Sequence, residues 1–151
     1  MRNTIIIALI SLVIAGCSKN KFTTKPQLKF KKLNTNFVPR NGIIEVTLQF
    51  TDKEGDFLPG KLFVQRLSSE CPADTNFKTV EFLPEFPTTV DTEGDIIVSY
   101  SNGNIFGYRP MSDVPSNCAH TTVCFCRFAL EDKAGNKSDT IVSGPFAVSK
   151  F

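Results

Sequence analysis

The sequence predicts an all-β sandwich, and three observations lead to that fold class. Fourteen phenylalanines and many valines, isoleucines and threonines favour strands, because aromatic and β-branched side chains pack well on a pleated surface. About seven short apolar or alternating segments are separated by regularly spaced turn residues. No segment shows a convincing 3.6-residue period of an amphipathic helix. The chain from Cys17 to Phe151 is one domain long and can bury a core without a metal or cofactor.

The first half of the chain contains the clearest strands. Residues 27–33 alternate loosely between apolar residues and lysines, which is typical of an edge strand that resists unwanted pairing. Residues 44–50 alternate strictly, so the pattern predicts a half-buried antiparallel strand. Residues 61–67 are apolar on both faces, which predicts a central strand. Turn residues separate these strands at 36–42, 52–56 and 59–60.

The second half is predicted to add further strands and one long irregular stretch. A hairpin is expected between residues 88–90 and 95–101, and Asn102-Gly103 favours a tight type I′ connection after it. Residues 107–120 show no regular pattern. The remaining predicted strands are residues 77–83, residues 121–130 and a last strand, 138–149, that Gly144-Pro145 interrupts.

The N-terminus has the three parts of a secretory signal: the charge of Arg2, an apolar segment at residues 5–15 and small residues before a cleavage point. The apolar segment is too short to cross a membrane. The run Val13-Ile14-Ala15-Gly16-Cys17 resembles the lipobox of bacterial lipoproteins. The resemblance implies cleavage before Cys17, a diacylglycerol on its thiol and an acyl chain on its new amine. An ordinary signal or a buried apolar N-terminus is the alternative.

This interpretation divides the chain into a signal peptide at 1–16, a lipid-anchored basic tether at 17–26 and a sandwich at 27–151. Residues 18–44 contain seven basic residues and no acid, whereas the chain from Glu45 onward has nine basic residues and fifteen acids. The tether lysines are expected either to contact lipid phosphates or to form a solvated linker. The basic stretch is too short, and the compartment wrong, for a nucleic-acid partner.

The lipoprotein resemblance also implies a location. Ser18 after the cysteine is compatible with delivery to the outer membrane. The lysines that follow lack the acidic run that resembles a surface-export signal, so the periplasmic face is favoured over the cell surface.

A second resemblance lies near the C-terminus. Residues 132–138, with the sequence DKAGNKS, resemble the D-x-A-G-N-x-S turn that links the last two strands of bacterial immunoglobulin-like and fibronectin-type domains. The resemblance implies a single immunoglobulin-like antiparallel sandwich of about seven strands. It implies no particular activity, because such domains serve as spacers, adhesins and binding modules alike.

Three turn segments share the pattern Asp-x-x-Gly-Asp/Asn: residues 52–56, 91–95 and 132–136. The first-position Asp can cap backbone amides, and the fourth-position Gly adopts the left-handed conformation. The alternative is calcium, which binds several carboxylate and carbonyl oxygens. No segment matches the twelve-residue helical calcium loop, so turns are favoured and neither a metal nor a cofactor is predicted. The calcium candidates are Asp52, Asp56, Asp91 and Asp95.

Four cysteines remain once Cys17 is lipidated, and an even number in an oxidising compartment predicts two disulfides. Cys124 and Cys126 share one face of a strand and would pair poorly with each other. Strand 61–67 is expected to lie antiparallel beside them, which favours Cys71–Cys124 with Cys118–Cys126. The alternative is a metal site of His120 and thiolates, but the spacings differ from those of structural zinc sites.

Enzymatic signatures are nearly absent, so no catalytic activity is predicted. The chain has one histidine and no glycine-rich phosphate loop or nucleophile elbow. The predicted function is a lipid-anchored, non-enzymatic interaction or structural module of the bacterial envelope, with an envelope protein or glycan as partner. The alternative is a lipoprotein that binds a glycan or peptide through Phe106, Tyr108 and Arg109. Without tryptophan, an inward-facing strand at Phe106 and Tyr108, with Arg109 solvated, is favoured.

Overall fold

Ten strands pair into two sheets in the computed structural model, which describes residues 22–71, 76–114 and 123–149. The predicted all-β sandwich is confirmed. Cys17, the signal peptide, Cys118 and His120 lie outside the described residues. The strands are β1 (Gln27–Leu33), β2 (Phe37–Val38), β3 (Ile43–Asp52), β4 (Lys61–Leu67), β5 (Thr79–Phe82), β6 (Thr92–Ser101), β7 (Arg109–Pro110), β8 (Val123–Glu131), β9 (Ile141–Val142) and β10 (Phe146–Val148).

The first sheet has the order β1-β3-β6-β7 and is built on β3. This strand pairs antiparallel with β1 on one side and with β6 on the other, where the ladder runs from Ile43–Ser101 to Asp52–Thr92. The predicted alternation is realised, because every second side chain of β3 is buried in the core. Those core residues are Ile44, Val46, Leu48 and Phe50.

The second sheet has the order β2-β10-β8-β4-β5, with β9 also paired to β8. As the sequence predicted, β4 is central: it lies antiparallel between β5 and β8. Its inward residues Leu62 and Val64 are fully buried, as are Phe128 and Leu130 of β8. The two sheets therefore meet across one apolar core.

The structure differs from the prediction in the number of strands and in the direction in which some of them pair. Three of the ten strands, β2, β7 and β9, have two residues each and are too short to leave a periodic pattern in the sequence. The sheets are also not purely antiparallel, because β2 pairs parallel with β10 and β7 pairs parallel with β6. In the part of the chain that the structure describes, no helix has the length and apolar character needed to cross a membrane.

The predicted hairpins around β6 are wrong. Residues 88–90 are not a strand; instead, the Asp91 amide donates to the Lys53 carbonyl oxygen and holds this segment against the loop after β3. After β6, the Asn102 side chain donates to the carbonyl oxygens of Val38, Pro39 and Ser149 and so ties the chain to the second sheet. These long-range bonds override the local turn preference.

Cys124 and Cys126 carry thiols and are not disulfide-bonded, so the predicted pairings Cys71–Cys124 and Cys118–Cys126 are wrong. The strands do pair as expected, but Leu67 at the end of β4 lies opposite Phe125, and Cys71 lies beyond that end. Both thiols are buried in the core. Cys71 is disulfide-bonded.

Replacing Leu48 by Asp should destabilise the fold by about 4 kcal/mol or more, because it places a carboxylate in the centre of the core. The conservative Leu48→Met change, which keeps the volume and the apolar character, should cost less than about 1.5 kcal/mol. Thermal unfolding followed by circular dichroism measures both. An unchanged Tm for Leu48→Asp would contradict the burial of this face.

The purified protein should release two thiols to a thiol reagent when it is denatured without reductant, and almost none while it is native. Burial raises the pKa of Cys124 and raises that of Cys126 to about 12, so little reactive thiolate forms. The double variant Cys124→Ala/Cys126→Ala should release no thiol under either condition. Zero thiols from the wild type would restore the two-disulfide pattern, and four would show that Cys71 is reduced.

Candidate functional site

Three aspartates from two loops converge at one end of the sandwich and are called here the three-aspartate cluster. Asp52 ends β3, Asp56 lies in the loop that follows, and Asp132 comes directly after β8. One carboxylate oxygen from each lies within 4.8 Å of the other two. Asp52 and Asp132 are buried and Asp56 is half-buried, so the cluster opens to solvent on the Asp56 side.

The pairing of β4 with β8 explains why these loops meet. Lys61, the first residue of β4, lies opposite Glu131, the last residue of β8. The loop that precedes β4 and the turn that follows β8 are therefore neighbours. The Lys133 amide donates to the Asp56 carbonyl oxygen at 3.1 Å and joins the two segments directly.

Both segments form the Asp-capped turns that the sequence predicted. The Gly55 amide donates to Asp52 Oδ2 at 2.8 Å, and the backbone amide of Asn136 donates to Asp132 Oδ1 at 2.8 Å. The Asn136 side chain also donates to Asp132 Oδ2. Gly55 has a φ of +70°, and a Cβ there would lie 2.4 Å from the Thr89 carbonyl oxygen, so no larger residue fits.

The hydrogen bonds of the two turns leave two carboxylate oxygens of the cluster without a donor. Asp52 Oδ1 and Asp56 Oδ1 are buried and have no hydrogen-bond partner. Among the described lysines and arginines, none forms an ion pair with the three carboxylates. Burial raises the pKa of Asp52 above its ordinary value; the Gly55 amide opposes this, and the charges of Asp56, Asp132 and Glu54 add to it.

Only two of the four calcium candidates from the sequence lie in the cluster. The Asp91 carboxylate lies outside it on an exposed residue, and Asp95 forms an ion pair with Lys31 at 2.8 Å on the first sheet. For Asp132 the sequence predicts a turn residue and not a calcium ligand. The repeated pattern did contain it, but the sequence does not show which of the three repeats become neighbours.

A second feature is an apolar cleft of about 210 Å³ between the edges of β5 and β6. In the described structure β6 pairs with β7 only at Tyr100 and Ser101, so no described strand pairs with this edge along residues 94–99. Phe82 and Ile97 line the cleft and are 76% and 62% exposed. A smaller hollow, which shares Leu83, Pro84, Ile96 and Ile97 with the cleft, continues toward Phe50, Phe57 and Phe86.

Polar groups lie at one wall of the cleft. The Tyr100 hydroxyl donates to Glu81 Oε1 at 3.1 Å, and Arg109 forms an ion pair with the same carboxylate. Arg109 also forms an ion pair with Asp113 at 3.5 Å. Burial and the Glu81 charge raise the pKa of Tyr100. Arg109 is therefore already paired with two acids of the protein, and this polar wall borders an otherwise apolar surface.

The structure separates the residues of the predicted ligand loop. Phe106 is fully exposed, whereas Arg109 is paired with acids and lines the cleft. Tyr108 is exposed on the loop and does not line the cleft. The favoured prediction that Phe106 and Tyr108 face inward is therefore wrong. Arg109 is exposed, as predicted, although it is also ion-paired. The cleft itself was not predicted, because its two walls come from strands of different sheets.

The two features offer two kinds of binding chemistry. The three-aspartate cluster presents carboxylate oxygens in a buried setting, and the cleft presents apolar side chains beside an open strand edge. No protein-family model matches this chain, and no curated protein matches it.

Proposed function

We propose that this protein is a lipid-anchored, non-enzymatic interaction module of the bacterial cell envelope, with its lipid on Cys17. The signal and lipobox support the anchor, and the immunoglobulin-like resemblance of the turn at 132–138 supports a binding or spacer domain. We place the protein at the outer membrane on its periplasmic face.

The anchor would keep the domain close to the membrane. Nine residues separate Cys17 from β1, and a fully extended chain of that length spans about 30 Å at most. Its last part is already engaged, since Pro26 is buried and Lys25 forms an ion pair with Asp139 at 2.6 Å. A partner of this module would therefore be another component of the envelope near the bilayer.

The single observation that supports an interaction role is the cleft between β5 and β6. Exposed apolar patches on soluble domains mark binding surfaces, and an open strand edge provides backbone donors and acceptors for an added strand. The cleft combines both, because Phe82 and Ile97 flank it and no strand of the described residues pairs with the edge of β6 along residues 94–99. The partner that fits this surface is an extended segment of an envelope protein.

A second candidate function is glycan or peptide binding at the loop of Phe106, Tyr108 and Arg109. The observation that favours it is the complete exposure of the Phe106 ring, which offers a flat apolar face for stacking on a sugar. Arg109 contributes less, since Glu81 and Asp113 already occupy its guanidinium. The two candidates use different residues and can be separated by mutation.

The double variant Phe82→Ser/Ile97→Ser should recover at least about tenfold less partner than the wild type when the lipidated protein is isolated from detergent-solubilised envelopes. Removing exposed apolar side chains should leave stability within about 0.5 kcal/mol per site. The matched control is Phe37→Ser/Val142→Ser, which removes side chains that are 53% and 51% exposed outside the cleft. Quantitative mass spectrometry of the eluates measures recovery. If the cleft variant and the control variant recovered equal amounts of partner, the cleft would not be the binding surface. If Phe106→Ser instead lost the partner, the loop would be the binding surface.

Replacing Cys17 by Ala should abolish incorporation of a labelled fatty acid, because the thiol and the new amine that receive the acyl chains are both lost. Ser18→Ala keeps the cysteine and should be labelled like the wild type. Fluorography of the immunoprecipitated proteins measures incorporation. A labelled Cys17→Ala product would contradict the lipid anchor.

A further inference from the structure

The three-aspartate cluster holds more acceptor capacity than its two turns use. Turn formation occupies Asp52 Oδ2 and both oxygens of Asp132. It leaves Asp52 Oδ1 and Asp56 Oδ1 buried and without a partner. Buried polar atoms are nearly always satisfied in folded proteins, so these two oxygens require an external partner.

A buried carboxylate oxygen can be satisfied by a hydrogen-bond donor, by a proton or by a cation. No donor from the described part of the chain reaches either oxygen, and a neutral water would leave the charges of the three carboxylates uncompensated. No basic side chain among the described residues pairs with the cluster. A proton shared between Asp52 and Asp56 would neutralise one charge and leave the other two carboxylates facing each other. A divalent cation would attract all three carboxylates, including the fully buried Asp52.

The geometry of the cluster suits one cation in particular. Calcium binds oxygen at 2.3–2.6 Å, so two oxygens of one shell are at most about 5 Å apart. The three carboxylate oxygens lie within 4.8 Å of one another, which falls inside that limit. Magnesium retains several waters and is rarely held in an enclosed protein site, whereas Asp52 and Asp132 are both buried.

We propose that Asp52, Asp56 and Asp132 bind one calcium ion. The ion joins the loop between β3 and β4 to the turn after β8 and satisfies the two orphan oxygens. Calcium takes six to eight oxygen ligands, so water entering beside the half-buried Asp56 completes its shell.

The proposal predicts that calcium binds the chelator-treated full-length protein with a stoichiometry of one and raises its Tm. Isothermal titration calorimetry measures binding and circular dichroism measures the Tm, with calcium up to about 10 mM, well above the range of extracellular calcium modules. Magnesium at the same concentration should produce less than about a tenth of the calcium response. No binding and no change in Tm would overturn the proposal, and an equal response to magnesium would overturn the choice of calcium.

The critical variant is Asp56→Asn, which removes one ligand charge from the half-buried member of the cluster while keeping its shape. It should weaken calcium binding at least about tenfold, or 1.4 kcal/mol, as measured by the same calorimetry. The matched control is Asp91→Asn, in the equivalent turn whose carboxylate lies outside the cluster, and it should bind like the wild type. Unchanged binding by Asp56→Asn would overturn the site. A carboxylic-acid infrared band that persists in saturating calcium would show that a proton holds the cluster instead.

Discussion

The burial of one face of β3 is the constraint on which the rest of the structure depends. This strand is paired on both sides along its length, and its apolar face supplies the centre of the core. A shift of one residue in its register would turn that face to solvent, so the positions of β1 and β6 are determined with it. The same strand ends at Asp52, which therefore has a fixed place next to the loop that follows.

The sequence correctly predicts those strands and turns whose residue pattern lies within one continuous segment of the chain. The strict alternation of residues 44–50 and the two apolar faces of β4 give the correct strand type and position, and the capped turns at Asp52 and Asp132 are also correct. The sequence does not predict the parallel pairings of two-residue strands, because two residues contain no period. It also misplaces the segment before β6, where a bond from Asp91 to Lys53 replaces the expected hairpin.

The candidate sites show why function is harder to predict than fold class here. Asp132 joins Asp52 and Asp56 only because β4 and β8 pair with Lys61 opposite Glu131, and that register cannot be read from either segment alone. The cysteines show the same limit, since the correct pairing of these strands still leaves Cys124 facing the core rather than Cys71. The cleft likewise depends on how the edges of two strands from different sheets lie beside each other.

The position of Phe57 has a consequence for how the two sites relate. This residue follows Asp56 directly, is fully buried, stacks on Phe50 with ring centroids 4.1 Å apart and lines the hollow that continues the cleft. An ion that fixes Asp56 would also restrict the ring beside it, and a partner that filled the hollow and shifted the side chains around this buried ring would change the affinity for the ion. Such thermodynamic coupling is reciprocal by necessity, so the strength of one equilibrium would depend on the occupancy of the other. Any partner binding at the cleft would then depend on the calcium concentration of the fluid around the domain.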